Sequence, residues 1–217
     1  GIFRLSNSAS HVEVFEFESN KRINSFYGVA KFGYKNFLYV DITGRNDWSS
    51  ALATPFSVDN TSFFYPSVSS SFIVSRVLDL PTEISFAKLR ASWARIGNDT
   101  GVYQVNATAG QAANDAYFGQ ITYPFGGQNA YEIFGRIENQ ELQPEITDEI
   151  EFGFDTRFFQ NRLALDVSFY SRKTKDLIVN LPVARSTGYS TVTGNFVDLT
   201  NKGIELALTG KAIAKED

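Results

Sequence analysis

Apolar and polar side chains alternate with a period of two over long stretches of the chain. Between Glu149 and Phe158, one set of alternate positions reads Glu149, Glu151, Gly153, Asp155 and Arg157, and the other reads Ile150, Phe152, Phe154, Thr156 and Phe158. After the polar triplet Gln160-Asn161-Arg162 the alternation resumes, with Leu163, Leu165, Val167 and Phe169 set against Ala164, Asp166, Ser168, Tyr170 and Arg172. Successive side chains of a strand point to opposite faces, so these two runs predict an antiparallel hairpin with one greasy and one charged face. The pattern recurs with Leu38, Val40 and Ile42 against Asp41, Thr43 and Arg45, and with Leu89, Ala91 and Trp93 against Lys88, Arg90 and Ser92. Near the end it sets Ile204, Leu206 and Leu208 against Glu205, Ala207 and Thr209.

About seven strands are predicted, at 25–34, 36–45, 63–75, 87–97, 147–159, 163–176 and 199–210. Most have room for the roughly 9–11 residues that cross a bilayer at a tilt, beyond the usual 5–6 or so of a soluble sheet. Their connections differ in size. The turns at 33–36 and 160–162 are tight, whereas the segments near 46–62, 98–145 and 178–198 are long and rich in Gly, Asn, Ser and Thr. All the long segments fall at one end of the strands. Short turns at one rim and long loops at the other are the layout of an outer-membrane barrel, with the short side periplasmic. Residues 1–24 are then expected to be an extracellular loop segment, 25–210 the barrel strands with their loops, and 211–217 a periplasmic turn or truncated end. Seven strands are odd in number and too few to close a wide lumen, and an open sheet would leave two bare edges in lipid. The fold expected is therefore all-β, an antiparallel transmembrane β-barrel of which this chain supplies a part.

Composition narrows the function classes. Aromatics make up 15% of the chain, with 20 Phe and 10 Tyr, and there is no Cys or Met. No apolar run approaches the roughly 20 residues of a membrane-spanning helix. A net charge of −4 and a pI near 5.1 do not provide the basic footprint of a nucleic-acid binder. One histidine, His11, with no cysteine rules out the usual zinc sites and any triad needing a second imidazole. Asp41, Asn46 and Asp47, or Asn98 and Asp99, lack calcium-loop spacing and read as turn residues. No cofactor, metal or enzymatic activity is expected. Glu149, Glu151 and Asp155 share a face, which suggests paired carboxylates for acid–base work. Lys88, Arg90, Arg157 and Arg172 fall on that same face, however, which favours charges lining a wet lumen or meeting a plug; Glu205 joins them. Trp48, Tyr65, Trp93, Tyr103 and Tyr170 lie near predicted strand ends, where an interfacial aromatic girdle is expected.

The wording of several segments points further. Phe64-Tyr65-Pro66-Ser67-Val68-Ser69, Lys88-Leu89-Arg90-Ala91-Ser92-Trp93 and Gly97-Asn98 resemble the mid-to-late barrel of SusC/RagA-type TonB-dependent transporters. Leu142-Gln143-Pro144-Glu145-Ile146-Thr147, running into Glu149–Gly153, is similar to the stretch where those proteins re-enter the barrel. Arg157–Leu163, Tyr170–Ile178 and Asn201-Lys202-Gly203-Ile204-Glu205-Leu206 continue the match in order, and Leu5-Ser6-Asn7-Ser8 resembles an outer loop. The resemblance implies a barrel of roughly 22 strands with a plugged lumen. It also implies a SusD-like surface lipoprotein as lid, TonB as the energy source through an N-terminal region that this sequence lacks, outer-membrane lipid around the wall, and glycans or peptides as cargo. The loop aromatics Tyr117, Tyr123, Phe125, Tyr131 and Tyr189 would then stack on cargo sugars or grip the lid. Two other readings remain: a passive porin or adhesin barrel, and a soluble carbohydrate-binding β-sandwich. The sandwich requires a second protein layer over the greasy face.

Overall fold

The computed structural model describes residues 18–106, 108–111, 126–133 and 135–211. Seven long strands form one antiparallel sheet: β1 (Ile23–Tyr34), β2 (Leu38–Ser49), β3 (Ser62–Ile73), β4 (Ile84–Asn98), β8 (Glu145–Phe158), β9 (Leu163–Pro182) and β10 (Thr191–Gly210). Between β4 and β8 lie three short strands, β5 (Ala109–Gln111), β6 (Tyr131–Ile133) and β7 (Arg136–Ile137). The long strands pair in chain order, β1-β2-β3-β4-β8-β9-β10. The short β7 adds a parallel partner to Thr191 and Val192 at the start of β10, and β5 pairs only with β6.

The turns at one end are built from left-handed residues. Lys35 and Asn36 have φ of 45° and 58°, and the Phe37 N–H donates to the Tyr34 carbonyl at 3.1 Å, as the strand twist of a tight hairpin favours. Between β8 and β9, Phe159, Gln160 and Asn161 have φ of 52°, 56° and 64°, closed by the Arg162 N–H on the Phe158 carbonyl at 3.0 Å. At the opposite end, residues 50–61, 99–144 and 183–190 separate the long strands.

Strand register carries the alternation across the whole sheet. Ala91 pairs with Phe152, which pairs with Phe169, which pairs with Ile204; one step lower, Leu89, Phe154, Val167 and Leu206 form the next row. Phe32, Val40 and Ser70 continue this surface toward β1. Phe152 is 59% exposed, Phe169 49%, and Ile204, Leu206 and Leu208 between 65% and 69%. No second layer covers this apolar face among the described residues, so the sandwich reading loses the packing it requires.

The loop end differs from the sequence expectation where β2 runs on to Ser49, where β5, β6 and β7 fall within 98–145, and most of all in the last connection. The long loop expected at 178–198 is mostly strand, since β9 runs to Pro182 and β10 starts at Thr191. Register shifts between Asn195 and Val197 and between Val197 and Leu199, with Asp176 at φ 57°, break the alternation there and give the segment a loop-like sequence. The expected girdle also divides. Trp48 and Trp93 share the apolar face, but Tyr65 and Tyr170 lie on the polar one, where the Tyr65 hydroxyl donates to Asp47 and Tyr170 covers Gly203. Tyr103 sits in the loop region at φ 60°. His11, most of the 1–24 segment and residues 212–217 lie outside the described residues.

Candidate functional site

The polar face of β4, β8 and β9 is a ladder of opposite charges. Lys88 pairs with Asp155 at 3.2 Å, directly across the β4–β8 register. Arg90 passes over Gly153 to Asp166 at 2.7 Å and to Ser168 Oγ at 3.2 Å. The Ser168 hydroxyl donates to Glu151 at 3.2 Å, and Arg172 pairs with Glu149 at 2.6 Å. Arg157 places its guanidinium over the Phe86 ring at 5.0 Å. Glu205 lies on the same face of β10, opposite Ser168, without an ion pair among the described residues. The eight charged residues singled out by the alternation thus share one surface. Each carboxylate in the ladder faces a cation or a hydroxyl, an arrangement suited to a wet lining and without a free acid–base pair. Among the described residues, no group of three or more His, Cys, Asp or Glu side chains converges as a metal site would.

Above this ladder the loops are packed together. Leu52, Phe63, Val105 and Leu142 form a small buried core, with Tyr65 and Ile178 against it. Four separate segments therefore meet in one cluster, and polar contacts lace them further. Lys21 pairs with Asp99 at 2.8 Å, and the Ser49 hydroxyl donates to the same carboxylate. Asn60 donates to the Leu142 carbonyl at 3.2 Å, and Arg136 donates to the Tyr103 carbonyl at 2.7 Å. Asn195 on β10 accepts from the Gln143 N–H at 3.0 Å and donates to the Gln143 carbonyl at 2.9 Å.

The aromatic loop residues are only partly brought together. Tyr131 is 70% exposed on β6, and Tyr189 is half-buried at the tip of the β9–β10 hairpin. Their segments are joined where the Ser190 N–H donates to the Gly135 carbonyl at 2.6 Å. Tyr117, Tyr123 and Phe125 lie outside the described residues. Sequence reasoning overlooked Phe56. Thr54 accepts N–H bonds from Phe56 at 3.3 Å and from Ser57 at 2.9 Å, which fixes a turn that leaves Phe56 84% exposed and Val58 67% exposed. The Thr-Pro-Phe-Ser wording was the available signal, because a hydroxyl before proline starts such turns.

Known proteins share this sheet. The family model described as TonB dependent receptor-like, beta-barrel matches residues 5–212. TonB-dependent receptor P26 of Formosa agariphila is 29% identical over 96% of the chain, and TonB-dependent receptor SusC of Bacteroides thetaiotaomicron is 27% identical over 89%. The chain spans 20% and 19% of the lengths of these two relatives. The structure of the RagAB peptide importer in its closed-closed state superimposes with a TM-score of 0.76 and 25% identity, covering 90% of this chain and 20% of that one. An open sheet with one bare apolar face, matched in sequence and in fold to part of these longer chains, leads to one conclusion. The chain belongs to the TonB-dependent receptor β-barrel family, of SusC/RagA type, and its strands are part of an outer-membrane barrel wall.

Proposed function

We propose that this chain is a wall segment of an active importer that takes oligosaccharides or peptides across the outer membrane, with a SusD-like lipoprotein at its outer face and TonB supplying energy from the inner membrane. The observation that supports this reading most is the laced loop end. Buried Leu52, Val105 and Leu142 hold the loops as one body and leave Phe56 and Val58 projecting outward. Exposed apolar side chains on a hydrogen-bonded turn suit a protein partner, whereas a passive pore has no need of them. The likeness to the RagAB peptide importer agrees.

In this reading Lys88, Arg90, Glu149, Glu151, Asp155, Arg157, Arg172 and Glu205 line the lumen and meet the plug of the whole protein. Tyr131 and Tyr189, with Tyr117, Tyr123 and Phe125, touch cargo or lid. The chain performs no covalent chemistry; it binds, lines and positions. The test is uptake of labelled oligosaccharide and peptide mixtures by cells carrying the full-length protein, with and without TonB. Active import predicts uptake of one mixture that stops without TonB. Uptake that continues unchanged without TonB selects the passive-pore reading.

A further inference from the structure

The apolar face is not uniform at its loop end. Arg95, Asp148 and Lys173 stand side by side on β4, β8 and β9, and Lys202 on β10 lies one row lower, opposite Ser171. Lys175 stands one row higher, paired in register with Ile146. Arg95 grips Asp148 through two hydrogen bonds of 2.8 and 2.9 Å, and Lys173 lies 3.8 Å from Asp198. Lys175 and Lys202 are exposed and make no ion pair among the described residues.

Two further observations give this cluster a ligand. The first is its height. Lys173 is ten residues above Leu163, where β9 begins. Ten residues rising about 3.3 Å each, tilted about 40°, climb roughly 25 Å, the height of the apolar band of such a barrel. With Leu163 at the inner edge of that band, the ammonium groups fall at the level of the outer-leaflet headgroups. The matching positions on β1, β2 and β3 are Gly28, Gly44 and Pro66, with Phe26, Asn46 and Phe64 above them, and none is charged. Among the described strands the cationic surface is thus confined, at this height, to the quadrant of β4, β8, β9 and β10.

The second observation lies lower on the same face, beyond the row of Trp93, Ile150 and Ser171. The small residues Ser70 and Ala91 leave a groove of about 330 Å³ between Leu89, Phe152, Phe154 and Phe169. It lies at hydrocarbon depth on the lipid side, where an apolar chain is the fitting occupant.

We propose that this quadrant is a binding site for a phosphorylated glycolipid of the outer leaflet, whose phosphate lies among Lys173, Lys175, Lys202 and Arg95 and whose acyl chain follows the groove at Ala91. A basic cluster at headgroup level attracts anionic lipid, and the groove beneath it selects a lipid over a free anion. The site depends on the outer-membrane location and is independent of the cargo, so failure of the uptake experiment leaves it standing and its own failure leaves the import reading standing.

The experiment uses the full-length protein in non-ionic detergent, with bisphosphorylated lipid A, dephosphorylated lipid A and inorganic phosphate as probes, read by native mass spectrometry. The bisphosphorylated lipid is expected to be retained and the dephosphorylated one largely lost. Lys175→Gln with Lys202→Gln should weaken retention about thirtyfold, taking roughly 1 kcal/mol for each lysine and 1.4 kcal/mol for each factor of ten. Ala91→Phe should weaken it by filling the groove without touching a charge. Equal retention of the two lipids by the unaltered protein overturns the proposal, whether or not the variants fold. So does unchanged retention in correctly folded variants, or displacement of the lipid by millimolar phosphate.

Discussion

Arg90 reaches Asp166 by crossing over Gly153, so that a residue of β4 bonds at 2.7 Å to one of β9 with the whole of β8 between them. A Cβ on Gly153 would stand 2.7 Å from Nε of Arg90 and 2.8 Å from one terminal nitrogen. The glycine is thus the saddle that lets one guanidinium tie three strands. Gly153→Val should push the flexible end of Arg90 aside and break its bonds to both Asp166 and Ser168, costing about 1 kcal/mol because these groups remain partly in water. Asp166→Asn, which leaves the bond to Ser168 in place, should cost less. Urea unfolding of the full-length protein in liposomes checks the order. Equal, negligible losses would mean that the bridge contributes nothing.

The two faces of β10 predict opposite tolerances. Leu206 lies four residues from the strand end at Gly210 and pairs with Val167, so it sits well within the apolar band, while Ala207 beside it faces the polar side. Leu206→Arg should cost about 2–4 kcal/mol, the midplane figure for a lipid-facing charge, and Ala207→Arg far less. Leu165→Arg, only two residues above the start of β9, should cost less than Leu206→Arg, since the penalty falls toward the interface. The heat-modified gel shift and surface level of each variant read this out.

The loop body depends on Leu142 and Asn195. Leu142 is fully buried, and its truncation to Ala should cost about 2–5 kcal/mol of local packing. Asn195→Asp keeps the acceptor for the Gln143 N–H but loses the bonds donated to the carbonyls of Gln143, at 2.9 Å, and Asp176, at 2.6 Å. Both variants should speed hydrogen exchange and proteolysis near residue 143 while leaving exchange in β2 and β3 unchanged. Uniform loosening of the whole sheet would contradict the separation between loop core and wall.

Phe56 tests the lid. Its 84% exposure means that Phe56→Ala should leave barrel stability within about 0.5 kcal/mol. If the lipoprotein grips this turn, affinity for it should fall at least about fivefold, the loss of more than 1 kcal/mol that marks an energetic anchor. Binding of the purified lipoprotein to the full-length variant measures it, and unchanged affinity removes Phe56 from the interface.

The wall was legible because each face of it meets a single solvent. Lipid and water select opposite residues at every second position, so Phe152, Phe154, Val167 and Leu206 declared their side directly. Tyr65 and Tyr170 leave the expected girdle because strand parity overrides residue type: Tyr170 alternates with Phe169 and shares the face of Arg172. Its ring lies over Gly203 of the next strand, a pairing invisible until register is known. The upper parts of β9 and β10 rise past the apolar band, where neither face needs to be greasy and the bulges at Asn195 and Val197 shift the phase, so they read as loop. The loop core was hidden for a related reason. Val105 and Leu142 are single apolar residues among polar neighbours, Leu52 is flanked only by small alanines, and only the folded chain brings the three into contact.

The central claim is that alternate side chains of these strands meet hydrocarbon and water. The sequence contains no cysteine, so single cysteines at positions 203 to 209 can be spin-labelled in the full-length protein, with any cysteine elsewhere replaced. In liposomes, labels at 204, 206 and 208 should be relaxed by oxygen dissolved in lipid, and those at 203, 205, 207 and 209 by an aqueous nickel chelate, in strict alternation. Equal access of the aqueous reagent to both sets would contradict the account.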